Sequence, residues 1–221
     1  MKNNIIEIKN IQKHYEDFHA LQDINFSVME SEIVVICGPS GSGKSTLIRC
    51  INKLEDITSG TIIVDGQDLG DKNTNIHKVR QEVGMVFQHF NLFPHKTIIE
   101  NIAIGPIRVK KVSRDIAEKK AMELLEKVKI PHQAHKYPGE LSGGQQQRVG
   151  LCRAMMLKPE ILLLDEPFAA IDPLTRMDIH KQLLLLHQSE PITTILVTHD
   201  MQEALLLADE IVVMDSGQII H

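Results

Sequence analysis

A glycine-rich loop placed directly after a short apolar run constrains this chain more than any other feature of its sequence. Residues 32–37 (EIVVIC) form a nearly continuous apolar run, which is typical of a strand buried on both faces. The next eight residues, Gly38 to Ser45 (GPSGSGKS), match the pattern G-x-x-x-x-G-K-[ST]. Residues 45–54 then have helical spacing. A strand, this loop and a helix in that order predict a phosphate-binding P-loop in an α/β protein.

The residue types in this loop fit the chemistry of phosphate binding. The glycines let the backbone curl so that its N–H groups point inward at phosphate oxygens. The helix that begins near Lys44 adds the positive end of its dipole. We expect Lys44 to contact phosphate and the Ser45 hydroxyl to bind Mg²⁺. A chance glycine-rich turn is the alternative, and the flanking strand and helix argue against it.

Apolar periodicity predicts the remaining strands and helices. In the amphipathic helix predicted at 113–130, Ile116, Met122, Leu125 and Val128 are expected on the buried face. The other predicted helices span residues 141–157, 174–188 and 201–208. The predicted strands span residues 4–9, 21–28, 60–64, 83–87, 161–164, 192–198, 211–214 and 218–220.

This order of elements predicts one α/β domain over residues 1–221 with a mostly parallel central sheet. The core is expected at about residues 1–90 and 158–221, with an antiparallel β subdomain near the N-terminus. A mostly helical subdomain, about residues 91–157, is inserted before the last core strands.

Charge and cysteine content exclude several classes of function. The net charge of -5 argues against a protein that mainly binds nucleic acid, because neutralising phosphates requires a surplus of Lys and Arg. Cys37, Cys50 and Cys152 form no CxxC pair, so we expect small buried thiols. No uncharged apolar run reaches about 18 residues, so a membrane role would depend on a partner.

A second motif places two carboxylates at the end of an apolar strand. Residues 161–164 (ILLL) lead directly into Asp165 and Glu166. Asp165 is placed to hold Mg²⁺, and Glu166 is placed to orient and deprotonate an attacking water. Strands that end in a charged turn are common, so the presence of a P-loop in the same chain is what favours the catalytic interpretation.

A third motif, LSGGQQQR at residues 141–148, combines a helix start with an anion site. Ser142 and Gln145 have the spacing of a capping box. Gly143 and Gly144 are not needed for a capping box and weaken the first turn of a helix. They leave N–H groups open to an anion, as at other helix N-termini. Because the P-loop already occupies one side of a nucleotide, a second such end suggests a site shared between two protomers.

With these motifs in this order, the chain resembles the nucleotide-binding domain of ABC transporters along essentially its whole length. LSGGQQQR is similar to the signature motif of that family, and LLLDEP to its magnesium-binding strand. The resemblance implies a P-loop NTPase core that binds and hydrolyses ATP with Mg²⁺. It also implies a head-to-tail homodimer in which two ATP molecules each lie between one P-loop and the opposing signature helix.

Four further positions take roles from this resemblance. Tyr15 fits the aromatic residue that stacks on adenine, and Gln88 fits the glutamine that touches Mg²⁺ and the attacking water. Asp172, within AAIDP, fits the aspartate of a loop that crosses the dimer interface, where the family often has Ser-Ala-Leu-Asp. His199, within LVTHD, fits the histidine that contacts the γ-phosphate.

The implied site therefore falls into three sets of residues. The catalytic set is Glu166, His199, Gln88 and Lys44, and the metal set is Ser45, Gln88 and Asp165. The nucleotide-binding set is Tyr15, Gly38, Pro39, Ser40, Gly41, Ser42, Gly43, Lys44, Ser45, Thr46, Ser142, Gly143, Gly144, Gln145 and Asp172.

The resemblance also implies partners and a location. Transmembrane permease subunits would bind the ATPase at the cytoplasmic face of the membrane, and a substrate-binding protein would act indirectly. Residues 86–102 and 105–114 resemble import ATPases for polar amino acids. Residues 165–188 look more like those serving osmoprotectants, other organic solutes or lipids. We expect polar amino acid import, with transport of those other solutes as the alternative.

Non-transport relatives provide a second class of function. ABC ATPases of DNA repair share the P-loop and signature motif, but they usually insert long coiled coils or append DNA-binding parts, which this chain lacks. ATPases of cell division or lipoprotein release pair with a membrane protein and remain an alternative. The neighbouring reading frames would separate these hypotheses.

Overall fold

The fold was analysed in a computed structural model that describes residues 3–169, 171–189 and 191–220. Two short 3₁₀ turns, Pro131–Gln133 and Pro138–Glu140, precede the helix at Gly143–Met155. The strands and helices, in chain order, are β1 (Asn4–Tyr15), β2 (Phe18–Met29), β3 (Ile33–Cys37), α1 (Lys44–Ile51), β4 (Ser59–Val64), β5 (Gln67–Asp68), α2 (Ile76–Glu82), β6 (Val83–Val86), α3 (Ile98–Val109), α4 (Arg114–Lys127), α5 (Gly143–Met155), β7 (Ile161–Asp165), α6 (Pro173–Ser189), β8 (Thr193–Thr198), α7 (Met201–Leu207), β9 (Glu210–Asp215) and β10 (Gln218–Ile219).

A six-stranded sheet forms the centre of the molecule, in the order β10-β9-β3-β8-β7-β6. Its neighbouring strands are parallel except for the antiparallel hairpin of β9 and β10. The residues of β3, β7 and β8 are buried along the whole of each strand. The α/β class and the mostly parallel sheet predicted from the sequence are therefore confirmed.

Alternate residues of β3 face two different apolar clusters, which explains why this strand is apolar throughout. Val34 and Ile36 belong to the cluster that includes apolar residues of α1, β1 and β2. Val35 and Cys37 pack with residues of α6 and α7. Both faces of the sheet are covered, so burial of each large apolar side chain of β3 contributes about 1.5–3 kcal/mol to the stability of the fold. No position of β3 therefore favours a polar residue.

An antiparallel sheet, in the order β2-β1-β4-β5, packs against one face of this core. Strands β1 and β2 each contain 12 residues, so the predicted strands at 4–9 and 21–28 were too short. Their pairing shifts register between Ile8 and Ile11, and Asn10 has a left-handed φ of 51°. This bulge breaks the alternation of apolar residues, which hid the second half of β1 from the sequence pattern.

Helices α3, α4 and α5 pack together around a third apolar cluster. The buried residues of α4 are Ala117, Ala121, Leu124 and Leu125, whereas Ile116 is 63% exposed. The prediction that Ile116 lies on the buried face was wrong. Two alanines take the central positions of the contact, where small side chains let neighbouring helices approach closely, and an apolar pattern gives them little weight.

The cysteines and the lengths of the helices were both the subject of predictions from the sequence. Cys37, Cys50 and Cys152 are each buried and unpaired, as predicted. Within residues 3–169, 171–189 and 191–220, no helix combines the length and the apolarity needed to cross a bilayer.

Candidate active site

The predicted polar residues follow strands that are neighbours in the central sheet. The P-loop follows β3, and His199 follows β8. Asp165 is the last residue of β7, Glu166 comes directly after it, and Gln88 lies two residues beyond β6. These four strands are adjacent and parallel, in the order β3-β8-β7-β6. Their carboxyl ends therefore open at one edge of the sheet, which is where α/β proteins bind ligands.

The conformation of the P-loop requires glycine at two positions where the backbone meets another strand. Gly38 has a φ of 146° and Gly43 a φ of 98°. A Cβ atom at Gly38 would lie 2.0 Å from the carbonyl oxygen of Met214, and one at Gly43 would lie 2.7 Å from that of Ala20. The loop is thus held between β2 and β9 by backbone contacts that no larger residue permits.

Lys44 is buried at the base of this loop, with only 4% of its surface exposed. Its ammonium donates hydrogen bonds to the carbonyl oxygens of Gly38, at 2.8 Å, and Pro39, at 2.7 Å. Burial lowers the pKa of Lys44, and the nearby charge of Glu166 opposes that shift. Because the two hydrogen bonds go to neutral carbonyls, the positive charge is available to attract an anion at the loop.

Ser45 and Asp165 bring two hard oxygen ligands together. The Ser45 hydroxyl donates to Oδ1 of Asp165 over 2.6 Å, and Asp165 is 1% exposed. Adjacent ligands of an octahedral Mg²⁺ ion, each at about 2.0–2.1 Å from the metal, lie about 2.9 Å apart. The pair is within a few tenths of an ångström of that spacing, so these residues fit a magnesium ion.

Arg49 completes this part of the site, and its role was missed in the sequence. Its guanidinium donates to Oδ2 of Asp165 over 3.0 Å, which leaves Oδ1 on the side of Ser45. Arg49 lies four residues after Ser45 on α1, so both side chains share one helix face. That spacing was the available signal, but only the fold shows that the face meets β7.

Glu166 and His199 form the second close pair. Nδ1 of His199 lies 3.4 Å from Oε2 of Glu166, and the two side chains are 60% and 19% exposed. Glu166 has a left-handed φ of 44°, and its N–H donates to the carbonyl of Val197 on β8. A non-glycine residue held in this region is strained by about 1–3 kcal/mol, and such strain concentrates at active sites.

Gln88 is exposed at the end of β6, beside the strand that carries Asp165. Among residues 3–169, 171–189 and 191–220, no hydrogen bond joins the Gln88 side chain to Asp165. The fold therefore places Gln88 at the same sheet edge, without a hydrogen bond to Asp165.

Tyr15 ends β1 beside the helix of the P-loop and is 39% exposed. The Lys13 ammonium lies 4.3 Å from the centre of its ring, a cation–π contact. Burial raises the pKa of the Tyr15 phenol, and the hydroxyl of Thr46 opposes the rise. The influence of Thr46 shows that Tyr15 lies next to the P-loop helix.

The signature motif begins α5 with the predicted capping box. The Gln145 N–H donates to the Ser142 hydroxyl at 3.4 Å, and the Ser142 N–H donates to the Gln145 side chain at 2.9 Å. Ser142 is exposed, and these hydrogen bonds remain within its own helix end. A Cβ atom at Gly144 would lie 2.5 Å from Cγ2 of Thr175, so this glycine also lets α5 pack against α6.

Asp172 has a structural role that the sequence analysis did not identify. Its carboxylate accepts a 3.0 Å hydrogen bond from the N–H of Thr175, so it caps α6. That hydrogen bond lowers the pKa of Asp172, as expected for a carboxylate bonded to a helix N-terminus. Asp172 is exposed and lies directly before α6.

The sheet edge, the P-loop with its buried lysine, the Ser45–Asp165 pair and the Glu166–His199 pair together define a P-loop ATPase. Comparison with known proteins narrows that class. The sequence matches the family described as ABC transporter over residues 21–169, so the chain belongs to the ABC transporter family. It is an ABC-type ATPase, as its motifs predicted.

Similar proteins are ATP-binding proteins of amino acid transport. The chain is 52% identical to the general L-amino acid transport ATP-binding protein AapP of Rhizobium johnstonii over 216 residues, 98% of this chain and 84% of that protein. It is 50% identical to the glutamine transport ATP-binding protein GlnQ of Geobacillus stearothermophilus over 220 residues, 98% of this chain and 89% of that protein.

A solved structure with the same fold is the dimeric, post-hydrolysis state of the ATP-binding cassette MJ0796 bound to ADP and Pi. It is 34% identical in sequence, with a TM-score of 0.90 that covers 98% of this chain and 97% of that one.

Proposed function

We propose that this chain hydrolyses ATP at the cytoplasmic face of the membrane to drive the import of polar amino acids. The observation that carries the proposal is identity of about half over nearly the full chain to ATP-binding proteins of glutamine and general L-amino acid transport. The transmembrane permease subunits and a substrate-binding protein would supply the selectivity that this chain does not contain.

The residues at the sheet edge divide the work of ATP hydrolysis. The P-loop N–H groups and Lys44 bind the β- and γ-phosphates, and Tyr15 stacks on adenine. Glu166 accepts a proton from the attacking water, whose oxygen bonds to the γ-phosphorus as the bond to the β–γ bridging oxygen breaks. His199, held near Glu166, donates to the γ-phosphate, and Gln88 orients the water.

Ser45 and Asp165 would hold a magnesium ion, and Gln88, at the same sheet edge, would be its third protein ligand. A bound Mg²⁺ would neutralise the charge that develops on the β- and γ-phosphate oxygens. Arg49 orients Asp165 by donating to Oδ2, so that Oδ1 faces the hydroxyl of Ser45.

We further propose that two copies share each ATP molecule. Ser142, at the N-terminal end of α5, is exposed, and its capping hydrogen bonds go to Gln145 of the same helix end. The N-terminal end of α5 is therefore open to a nucleotide held by a partner copy. The solved MJ0796 cassette is a dimer with ADP and Pi bound. In this arrangement, Ser142 and the helix end at Gly143 of one copy contact the γ-phosphate held by the P-loop of the other.

The experiment that tests the transport proposal is reconstitution with the native membrane subunits in lipid vesicles, with the binding protein present. We expect glutamine, glutamate or another polar amino acid to stimulate ATP hydrolysis and to be taken up. The Glu166→Gln complex is the control for uptake without hydrolysis. Stimulation by an osmoprotectant or a lipid, with no response to any amino acid, would contradict the assigned substrate class.

A further inference from the structure

A buried polar cluster lies directly behind the Glu166–His199 pair and plays no part in the mechanism described so far. It consists of Thr198 and Glu203, from β8 and α7, with Arg176 and His180, from α6. Glu203 is 5% exposed and His180 is 4% exposed. A carboxylate this deeply buried is retained only when hydrogen bonds and opposite charge offset the loss of hydration, so its partners identify its role.

Glu203 fixes both sides of His199 through one hydroxyl group. The Thr198 hydroxyl donates a 2.5 Å hydrogen bond to Oε2 of Glu203. The same hydroxyl accepts the N–H of Asp200 at 3.0 Å. Thr198 and Asp200 are the residues immediately before and after His199. The Thr198 hydroxyl therefore links the residues on both sides of His199, and the Glu203 carboxylate holds that hydroxyl.

The other oxygen of Glu203 faces two basic side chains of α6. Nη1 of Arg176 lies 3.5 Å from Oε1 of Glu203, and Nε2 of His180 lies 3.6 Å from it. The same Nη1 lies 3.5 Å from Oδ2 of Asp200, the residue that caps α7. Arg176 thus ties α6 to Asp200 and Glu203, which both follow His199 in the chain.

His180 extends the cluster to the strand end that carries Glu166. Its ring packs edge-on against the ring of Phe168, with centroids 4.4 Å apart and planes at 79°. Phe168 is 2% exposed and lies two residues after Glu166. The cluster therefore contacts both segments that carry the pair, through Phe168 on the side of Glu166 and through Thr198 and Asp200 on the side of His199.

Residues of the pair and of the cluster also line a single cavity. Glu166, His199, Arg176 and Glu203 all border this space, which has a volume of about 30 Å³.

We propose that Thr198 and Glu203, supported by Arg176 and His180, are positioning residues that hold His199 against Glu166. The inference rests on the roles proposed above for Glu166 and His199 in hydrolysis. A helix cap alone would explain the stability of α7, but it would not require the contacts to α6 and Phe168. The positioning role predicts a loss in the chemical step rather than in nucleotide binding.

The test compares Thr198→Val with Thr198→Ser in the assembled transporter. The valine variant keeps the shape of threonine and loses its hydroxyl, whereas the serine variant keeps the hydroxyl. We expect Thr198→Val to lower kcat for ATP about tenfold or more, with KM changed by less than about twofold. Thr198→Ser should retain most of the wild-type kcat, and Glu203→Gln should behave like Thr198→Val.

A double-mutant cycle separates positioning from a general structural role. If Thr198 acts through His199, Thr198→Val should change the residual single-turnover rate of the His199→Ala variant by less than about twofold. A wild-type kcat in Thr198→Val, an equal loss in Thr198→Ser, or an undiminished loss in the His199→Ala background would each overturn the proposal. If Thr198→Val does not fold, Glu203→Gln carries the same cycle.

The same assays show which proposal has failed. Wild-type hydrolysis by His199→Ala or Glu166→Gln would refute the catalytic roles themselves. A strongly reduced rate in His199→Ala, beside wild-type rates in Thr198→Val and Glu203→Gln, would refute only the positioning cluster.

Discussion

The Ser45 hydroxyl donates a 2.6 Å hydrogen bond to Asp165, although 120 positions separate the two residues in the sequence. The contact joins the first turn of the P-loop helix to the end of β7. It sets two oxygen ligands side by side, with Arg49 on the far oxygen of the carboxylate. The metal requirement of the enzyme should therefore depend on Asp165.

Replacing Asp165 by asparagine should reduce Mg²⁺-dependent hydrolysis by about a hundredfold or more, because the amide is a weaker metal ligand and leaves Arg49 without its ion partner. Electron paramagnetic resonance of Mn²⁺ with a non-hydrolysable ATP analogue measures metal binding independently of turnover. Asp115→Asn, at an exposed position of α4, is the matched control. Unchanged Mn²⁺ binding in Asp165→Asn would show that this carboxylate does not hold the metal.

Glu166→Gln should bind ATP and remain as a dimer, with hydrolysis reduced by about 10²–10⁴-fold, because the amide cannot accept the proton of the attacking water. Light scattering after size exclusion, with ATP present, measures the dimer, and phosphate release measures turnover. Glu126→Gln, at an exposed site of α4, should behave as wild type. Near-normal turnover in Glu166→Gln would rule out this residue as the general base.

Ser142→Arg should abolish turnover and leave ATP binding by the monomer largely intact, because the larger side chain fills the exposed tip of α5 rather than the P-loop. Equilibrium binding of a fluorescent ATP analogue at protein concentrations below dimerisation measures the monomer. Ser113→Arg is the control, since Ser113 begins α4 without a side-chain cap. Loss of nucleotide binding by the Ser142→Arg monomer would argue against a shared site.

Gly144→Ala should lower the free energy of unfolding by about 1–3 kcal/mol, because the new Cβ atom would lie 2.5 Å from Cγ2 of Thr175. Urea unfolding of the isolated chain measures the change. Thr175→Ser removes that methyl group, so the double variant Gly144→Ala with Thr175→Ser should recover most of the loss. Gly139→Ala, where a Cβ atom meets no atom within 4 Å, should have a small effect. Equal stability of Gly144→Ala and wild type would mean that α5 and α6 can separate without loss.

The buried thiols should resist alkylation in the folded protein. Burial raises the pKa of Cys50 and of Cys152 to about 12. At pH 8 only about one thiol in 10⁴ would then be ionised, and the thiolate is the reactive form. Iodoacetamide labelling followed by mass spectrometry should modify these residues only after unfolding in urea. Rapid labelling of either residue in the native state would contradict their placement in the core.

The motifs allowed much of the site to be predicted because each one depends on short sequence spacing. The P-loop needs its glycines at fixed positions, and the capping box needs Ser142 three residues before Gln145. Helix α3 was not singled out, although Thr97 and Glu100 form the same kind of box at its start. The cap of α6 by Asp172 also had a local signal, because the residue precedes Pro173 at the first helical position.

Contacts between distant segments were not predictable in this way. The ion pair between Arg49 and Asp165 cannot be predicted until α1 is known to lie against β7. Glu203 lies on a short helix whose sequence gives no sign that its carboxylate is buried against Arg176 and His180. The error at Ile116 has the same origin, because the buried face of α4 depends on where α3 and α5 lie.

The sequence by itself determined the class of chemistry, since phosphate binding, helix capping and strand burial follow from residue types at short, fixed separations. The tertiary structure decided which groups meet: Ser45 with Asp165, Glu166 with His199, and Arg176 with Glu203. The physical reason is that parallel strands remote in sequence end at a single sheet edge. Hydrogen bonds and ion pairs act over only a few ångströms, so the packing of helices on that sheet determines which side chains come within reach.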